Sequence, residues 1–463
     1  MTDTSSKPST SPGRGARPPG PPGGLRSALA FQRSPLAFLS ATVDKYGDVA
    51  TVEIPRMPFV MVNHPDHVNH ILKKHQRNYD RHGPAHDMAR NFFGNGLATA
   101  ARPGWLAQRR LLQPAFHRKH ITEFGAAMAD TIATTMDRWE TVRAGGGTLD
   151  LTDEMSDLTL RIVVRALFGM DPEDAMIRRF TGAVATATRE LAAYMQFPLI
   201  PLSVPTLGHR RFRRALATMD EIVYTMIERQ RREVLAGTDS GSLLSLMVRA
   251  RDADTGASMD DEQLRDEVRT MLFAGHETSA NTLAWAWYSI GRHPEVEQRL
   301  REEVDRVLGD RQPTMDDVPA LTYTRQVILE TLRMYAPAWQ NFRQAEEDDE
   351  IDGFRIPAGT LLFWSYYLVH RHPDFWEQPD RFDPNRFTGQ DGINGEAPAF
   401  FPFGTGPRLC IGNTFAMTEM QLAIVMILQR FRLEPVDSAE IAPKASVTLK
   451  MAEPLIVRLA QAE

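Results

Sequence analysis

Apolar and polar positions follow two different periods along this chain. From about Trp105 to Met334 the apolar residues recur at helical spacing, broken near Gly145–Gly147, Phe197–Gly208 and Gly237–Gly241, where Gly and Pro punctuate the pattern. Ahead of that middle lie two short runs with strand character, Val49–Ile54 and Phe59–Val62, and His64-Pro-Asp-His-Val then opens a helix. Strand signals return at Glu350–Phe354 and Gly359–Tyr366, and Val447–Leu459 alternates again. The segment from Asn413 to Phe431 reads as an apolar helix. The prediction is a mainly α chain with small β-sheets toward both ends. No repeat, long linker or second composition regime follows residue 24, so residues 25–463 are expected to form a single large domain.

Residues 1–24 differ. They are rich in Ser, Pro and Gly and end in Pro18-Pro-Gly-Pro-Pro-Gly-Gly24, which predicts a disordered or extended leader outside the fold. The leader lacks the apolar core of a signal peptide. A hydrophobic fraction of 42% and a charged fraction of 24% are those of ordinary globular proteins. The net charge of −6 gives no reason to expect a nucleic-acid partner, and no apolar run is long enough for a membrane anchor. One cysteine and no export signal point to a cytoplasmic protein.

That cysteine, Cys410, is the only one in 463 residues. It cannot close an intrachain disulfide or build a cysteine metal cluster. A lone thiolate can act as nucleophile, redox sensor or axial ligand of an iron porphyrin. Its setting, Phe403-Gly-Thr-Gly-Pro-Arg-Leu-Cys410-Ile-Gly412, favours the last. The glycines permit tight turns and close approach to a flat partner. Arg408 is placed to hold an anion beside the thiol, and the helix opening after Gly412 favours negative charge at its start.

The register Phe-x-x-Gly-x-Arg-x-Cys-x-Gly, filled by Phe403, Gly406, Arg408, Cys410 and Gly412, resembles the haem-binding loop of the cytochrome P-450 monooxygenases. Three other motifs stand in that family's order. Asp266–Arg292 reads as a long apolar helix whose middle is Ala274-Gly275-His276-Glu277-Thr278-Ser279. There the Thr278 hydroxyl can reach the carbonyl of Ala274 and loosen the helical ladder. The segment is similar to the family's acid–alcohol pair, which gives Glu277 and Thr278 the catalytic role of proton delivery. Glu330-Thr-Leu-Arg333 places an acid and a base on one helix face. With Arg386 of Pro384-Asn-Arg386-Phe387 they match the family's structural triad, a folding role. Trp105-Leu-Ala-Gln-Arg109 is similar to its Trp-x-x-x-Arg, and with Arg343 it implies contacts to the haem propionates.

The resemblance therefore implies the cytochrome P-450 fold and haem b held through Cys410. It implies insertion of one oxygen atom from O2 into a C–H or C=C bond of a hydrophobic small molecule, such as a fatty acid or another lipid-like or terpenoid compound. It places Phe92, Phe93, Met195–Val204, Ala274, Trp339 and Val447–Thr448 around the substrate, with Met195–Leu202 as an entrance. Neither a flavin motif nor an iron–sulfur motif is present. Electrons are expected ultimately from NAD(P)H through a separate ferredoxin or flavodoxin-type reductase system. Arg109, Arg110 and His117-Arg118-Lys119-His120 are a candidate basic docking patch for it. His370 and His372 have no metal-ligand spacing and read as surface or capping residues. Two alternatives are a peroxide-driven haem-thiolate oxidase, disfavoured by the intact Glu277-Thr278, and a non-enzymatic haem-binding sensor.

Overall fold

A computed structural model describes residues 15–116, 118–196, 202, 204–238, 241–251, 258–389 and 397–462. Its axis is the helix Asp261–Arg292, which starts ahead of the expected Asp266 because Asp260 caps it, accepting the Gln263 N–H at 2.7 Å. Such caps satisfy donors that a helix start leaves without partners. Most of this central helix is buried, charged residues such as Asp266 and Arg269 included. It packs on the helices Leu151–Phe168, Thr322–Met334 and Asn413–Arg430. Asp150 caps Leu151–Phe168 at its start, and Gly169 ends it in the left-handed conformation.

Five strands form the larger sheet, in the order Val49–Val52, Phe59–Val62, Leu361–Ser365, Gln340–Ala345 and Tyr79–Asp80. Only the pair Phe59–Val62 with Leu361–Ser365 is parallel. Both of those strands are buried along their whole length, hence their continuous apolar reading. Gln340–Ala345 gave no strand signal because it is half polar. Register with Leu361–Ser365, Phe342 opposite Phe363, holds it in place. The expected strand Glu350–Phe354 is instead a hairpin, Asp349–Ile351 against Phe354–Ile356. Asp352 and Gly353 turn it with positive φ at both positions, the geometry that tight hairpins favour. Val447–Leu459 likewise divides into Leu449–Met451, paired with Pro443–Ala445, and Ile456–Gln461, paired with Thr148–Asp150 and Phe431–Pro435.

Two expectations are corrected. Residues 15–24 belong to the fold, so the leader does not run to residue 24. Pro18 is buried, the Thr51 N–H donates to the Pro19 carbonyl at 2.7 Å, and the Thr51 hydroxyl donates to that of Pro18. Gly20 sits so close that a methyl there would overlap the Thr51 carbonyl oxygen. A composition that cannot build a core can still line the edge of one. Residues 1–14 lie outside the described residues. The second correction concerns His370 and His372, which are buried rather than on the surface. His370 accepts the Phe401 N–H at 2.9 Å through Nε2, and burial pushes its pKa down to about 3. His372 faces Asp48.

Candidate active site

A cavity of about 340 Å³ lies between the Cys410 loop and the central helix. Gly404 and Gly406 take φ of +72° and +71°, which only glycine adopts freely. They turn the loop so that the Cys410 N–H donates to the Phe403 carbonyl at 3.0 Å and the Leu409 N–H to that of Gly406. Gly406 also lies flush against the Leu72 carbonyl, where a side chain would collide. Phe403, Arg408, Cys410 and Gly412 all line the cavity. The surface that Cys410 exposes faces this cavity. Packed protein around it pushes the thiol pKa up, while the Gly412 N–H and Arg109 pull the other way. The net direction is up, so the loop alone favours the thiol. A coordinated metal would deprotonate it.

Arg81, Arg343 and Arg408 line the same cavity. Burial lowers all three, helped by repulsion from Arg343 at Arg81 and Arg408 and from Arg102 at Arg343, which falls to about 10, with Arg408 at about 9. The carboxylate among them is Asp80, 2.6 Å from Arg408 and also beside Arg102. Three buried guanidiniums around one carboxylate leave positive charge to neutralise. Two propionates would do so, and on this ground the residues present fit a haem. Arg81 was not anticipated, because Asp80-Arg81-His82 carries no motif. The Trp105 ring lies under Arg408, 4.3 Å from its guanidinium carbon, and Arg109 donates to the Leu409 carbonyl at 3.0 Å. These two residues brace the thiol loop and do not line the cavity.

On the opposite wall Thr278 lines the cavity and donates to the Ala274 carbonyl at 2.6 Å, as its spacing predicted. Glu277 points away from it. Its Oε1 meets Lys450 Nζ at 2.5 Å and accepts the Thr448 hydroxyl at 3.0 Å, and Asn281 donates to both Thr448 and the Glu277 carbonyl. Burial pushes the Glu277 carboxyl up, but Lys450, His276 and these hydrogen bonds outweigh it and hold it ionised. Lys450 went unanticipated, since a lysine in a short strand has no sequence signature. Gly275 lines the cavity, but the space beside its Cα is taken by Val163, 2.8 Å from where a Cβ would stand.

Of the expected substrate contacts that fall among the described residues, only Ala274 lines the cavity. Phe92 and Phe93 instead form an aromatic cluster with Phe273, at ring-centroid distances of 4.7–5.1 Å. Trp339 donates to the Ser446 carbonyl and faces a separate small pocket. Val447 packs against the core. Leu72, Leu167, Met271, Pro337, Ala338 and Met420 also line the cavity, and no spacing argument singles them out. Of the entrance stretch, residues 197–201 and 203 lie outside the described residues. So do the side chains of 117–121, and with them most of the basic patch.

Behind the cavity Glu330 and Arg333 pair through two contacts, 2.7 and 2.8 Å, both fully buried. Arg386 Nε approaches Glu330 at 3.4 Å. Arg333 also donates to the carbonyls of His370, Pro379 and Arg381, and the Asp383 N–H donates to Glu330. These bonds supply the partners a buried ion pair needs.

Comparison with known proteins agrees with this geometry. A sequence model of the family described as Cytochrome P450 matches residues 18–457. Cyclooctat-9-en-7-ol 5-monooxygenase of Streptomyces melanosporofaciens is 38% identical, over 89% of this chain and 88% of its own. Cyclooctatin synthase of the same organism is 35% identical, over 92% of each chain. Pentalenene oxygenase of Streptomyces avermitilis is 34% identical, over 93% of this chain and 94% of its own. The chain belongs to the cytochrome P450 family: it is a haem-iron monooxygenase that uses O2, a hydrophobic substrate and a redox partner.

Proposed function

We propose that this monooxygenase hydroxylates a cyclic terpenoid. The observation that carries this is the apolar cavity bounded by Cys410 below and Ala274 and Thr278 above. Three relatives named for work on cyclooctat-9-en-7-ol, cyclooctatin and pentalenene support that substrate class over a long fatty acid. When haem is bound, Cys410 would hold its iron, and Arg81, Arg343 and Arg408 would hold its propionates. Haem bound there supplies the oxygen activation. The net change is R–H plus O2, two electrons and two protons to R–OH and water.

The chain's own part is positioning and proton control. Leu167, Met271, Pro337 and Ala338 hold the substrate and exclude water. Thr278 keeps a hydroxyl at the cavity wall, and the Glu277–Lys450 pair, turned away from the cavity, takes protons from outside and relays them through water to that wall. Glu330, Arg333 and Arg386 fix the backbone behind the site. The haem domain takes in residue 15 onward and is cytoplasmic, with NAD(P)H as the ultimate electron source through a ferredoxin or flavodoxin-type system. Among the described residues no helix is long and apolar enough to cross a membrane.

The test is a spin-state titration of the ferric protein with pentalenene, a saturated fatty acid and a steroid. Saturable conversion from low to high spin with pentalenene supports the reading. Conversion by the fatty acid or steroid alone overturns the substrate class and leaves the haem assignment intact.

A further inference from the structure

The turn that carries Leu72 also carries two histidines. Over His70–Lys74 the backbone takes a π turn, closed by the His75 N–H donating to the His70 carbonyl at 2.8 Å. An α-helix would turn residues five apart to different faces. The wider turn puts them on one face, and such turns are frequent at functional sites. The His70 and His75 rings accordingly stack, with centroids 4.1 Å apart and planes 11° from parallel.

A carboxylate faces them. Asp349 opens the hairpin strand Asp349–Ile351, and Asn78 holds that segment close. Its side chain accepts the Glu347 N–H at 2.7 Å and donates to the Glu347 carbonyl at 3.2 Å. Asp349 Oδ2 lies 2.8 Å from His70 Nε2 and 3.9 Å from His75 Nδ1, and the three atoms fall within 4.8 Å of one another. The carboxylate is itself held: Oδ2 accepts the Tyr79 hydroxyl at 2.6 Å and Oδ1 the Glu350 N–H at 2.7 Å. Ligating carboxylates in metal centres are oriented from behind in the same way. His75 is half exposed, which leaves one side open to water. Two imidazoles and a carboxylate with an open fourth position suit a borderline divalent ion such as zinc. Calcium and magnesium want oxygen donors. A second cluster, Asp80, His82 and Glu346, is not available, because Asp80 is taken by Arg408 and by the N–H groups of Arg81 and Arg102.

We propose that His70, His75 and Asp349 bind a zinc-class divalent metal ion, with water as the fourth ligand, and that the ion clamps the turn on which the thiol loop rests. The ion takes the place of the proton between His70 and Asp349, and the His75 ring closes the remaining gap. Leu72 lies in the chain between the two histidines. Its carbonyl abuts Gly406 and its side chain lines the cavity beside Cys410, so a bridge from this turn to the hairpin steadies the wall that holds haem. The clamp rests on the haem reading; the metal site does not.

The test uses the untagged, haem-loaded chain, stripped of metal with a chelator and titrated with zinc by calorimetry. Wild type binds one equivalent, which calcium and magnesium do not displace. His75→Ala, a change to a half-exposed side chain outside the haem cavity, loses that equivalent, and Tyr79→Phe weakens it by roughly 10–100-fold. Zinc-edge X-ray absorption shows nitrogen and oxygen neighbours at about 2.0–2.1 Å, imidazoles among them, and no sulfur. Zinc also slows the transfer of haem to apomyoglobin several-fold in wild type and leaves the rate in His75→Ala unchanged. Zinc held as tightly by His75→Ala, or a sulfur neighbour in the absorption spectrum, overturns the site. One equivalent bound with haem loss unaltered overturns the clamp. A chain that binds zinc but shows no Soret band would instead overturn the haem reading.

Discussion

At the scale of single residues the site works through contrasts in charge state set by neighbours. Glu277 stays ionised chiefly because Lys450, 2.5 Å away, offsets its burial. Lys450→Met removes that charge, so the Glu277 pKa rises and the carboxyl stays protonated to higher pH. The pH at which product per electron pair changes should move to the alkaline side, and an unmoved profile would refute the coupling. Glu277→Gln should slow product formation by roughly a hundredfold, the scale of a lost proton-transfer group, as steady-state turnover would show. The sequence made Thr278 legible because a hydroxyl four residues beyond a carbonyl has one local partner. Lys450 and Arg81 were not legible. Each sits beside groups far away in the chain, and neither stands in a spacing that marks it.

At the scale of elements, the thiol loop and the buried pair Glu330–Arg333 are where single substitutions meet backbone strain or a stranded charge. Gly406→Ala would force a side chain into left-handed backbone at about 1–3 kcal/mol and drive it into the Leu72 carbonyl. A lowered denaturation midpoint together with weaker haem retention is the expected outcome, and an unchanged midpoint the contrary one. Breaking Glu330–Arg333, both fully buried, leaves an uncompensated charge. Glu330→Ala should cost about 3–5 kcal/mol in denaturant unfolding, a loss no surface pair would give. Helices were the readable part of this fold, since a buried helix such as Asp261–Arg292 declares itself by its length and apolar content. Strands were read where both faces are buried, as at Phe59–Val62. They were missed at Gln340–Ala345, where pairing with a neighbour, not composition, makes the strand.

Over the whole molecule, buried neutral histidines set the acid limit of stability. His67 and His276 are pushed down to about 4 and His370 to about 3, in each case mainly by burial. The folded pKa values lie below the unfolded one near 6.5, so the unfolded chain binds protons first as pH falls. Each such group then removes about 1.4 kcal/mol of stability per pH unit below 6.5. Unfolding midpoints should fall steeply from about pH 6.5 to pH 4, and His370→Gln should flatten that slope if it folds. At this scale we propose that one thiolate, Cys410, holds haem in the cavity beneath Thr278. The most direct test is the ferrous carbonyl spectrum of the haem-loaded protein beside Cys410→Ala. Thiolate ligation gives the wild type a red-shifted Soret band, which the variant loses. A band at the position of histidine-ligated haem in both would contradict it.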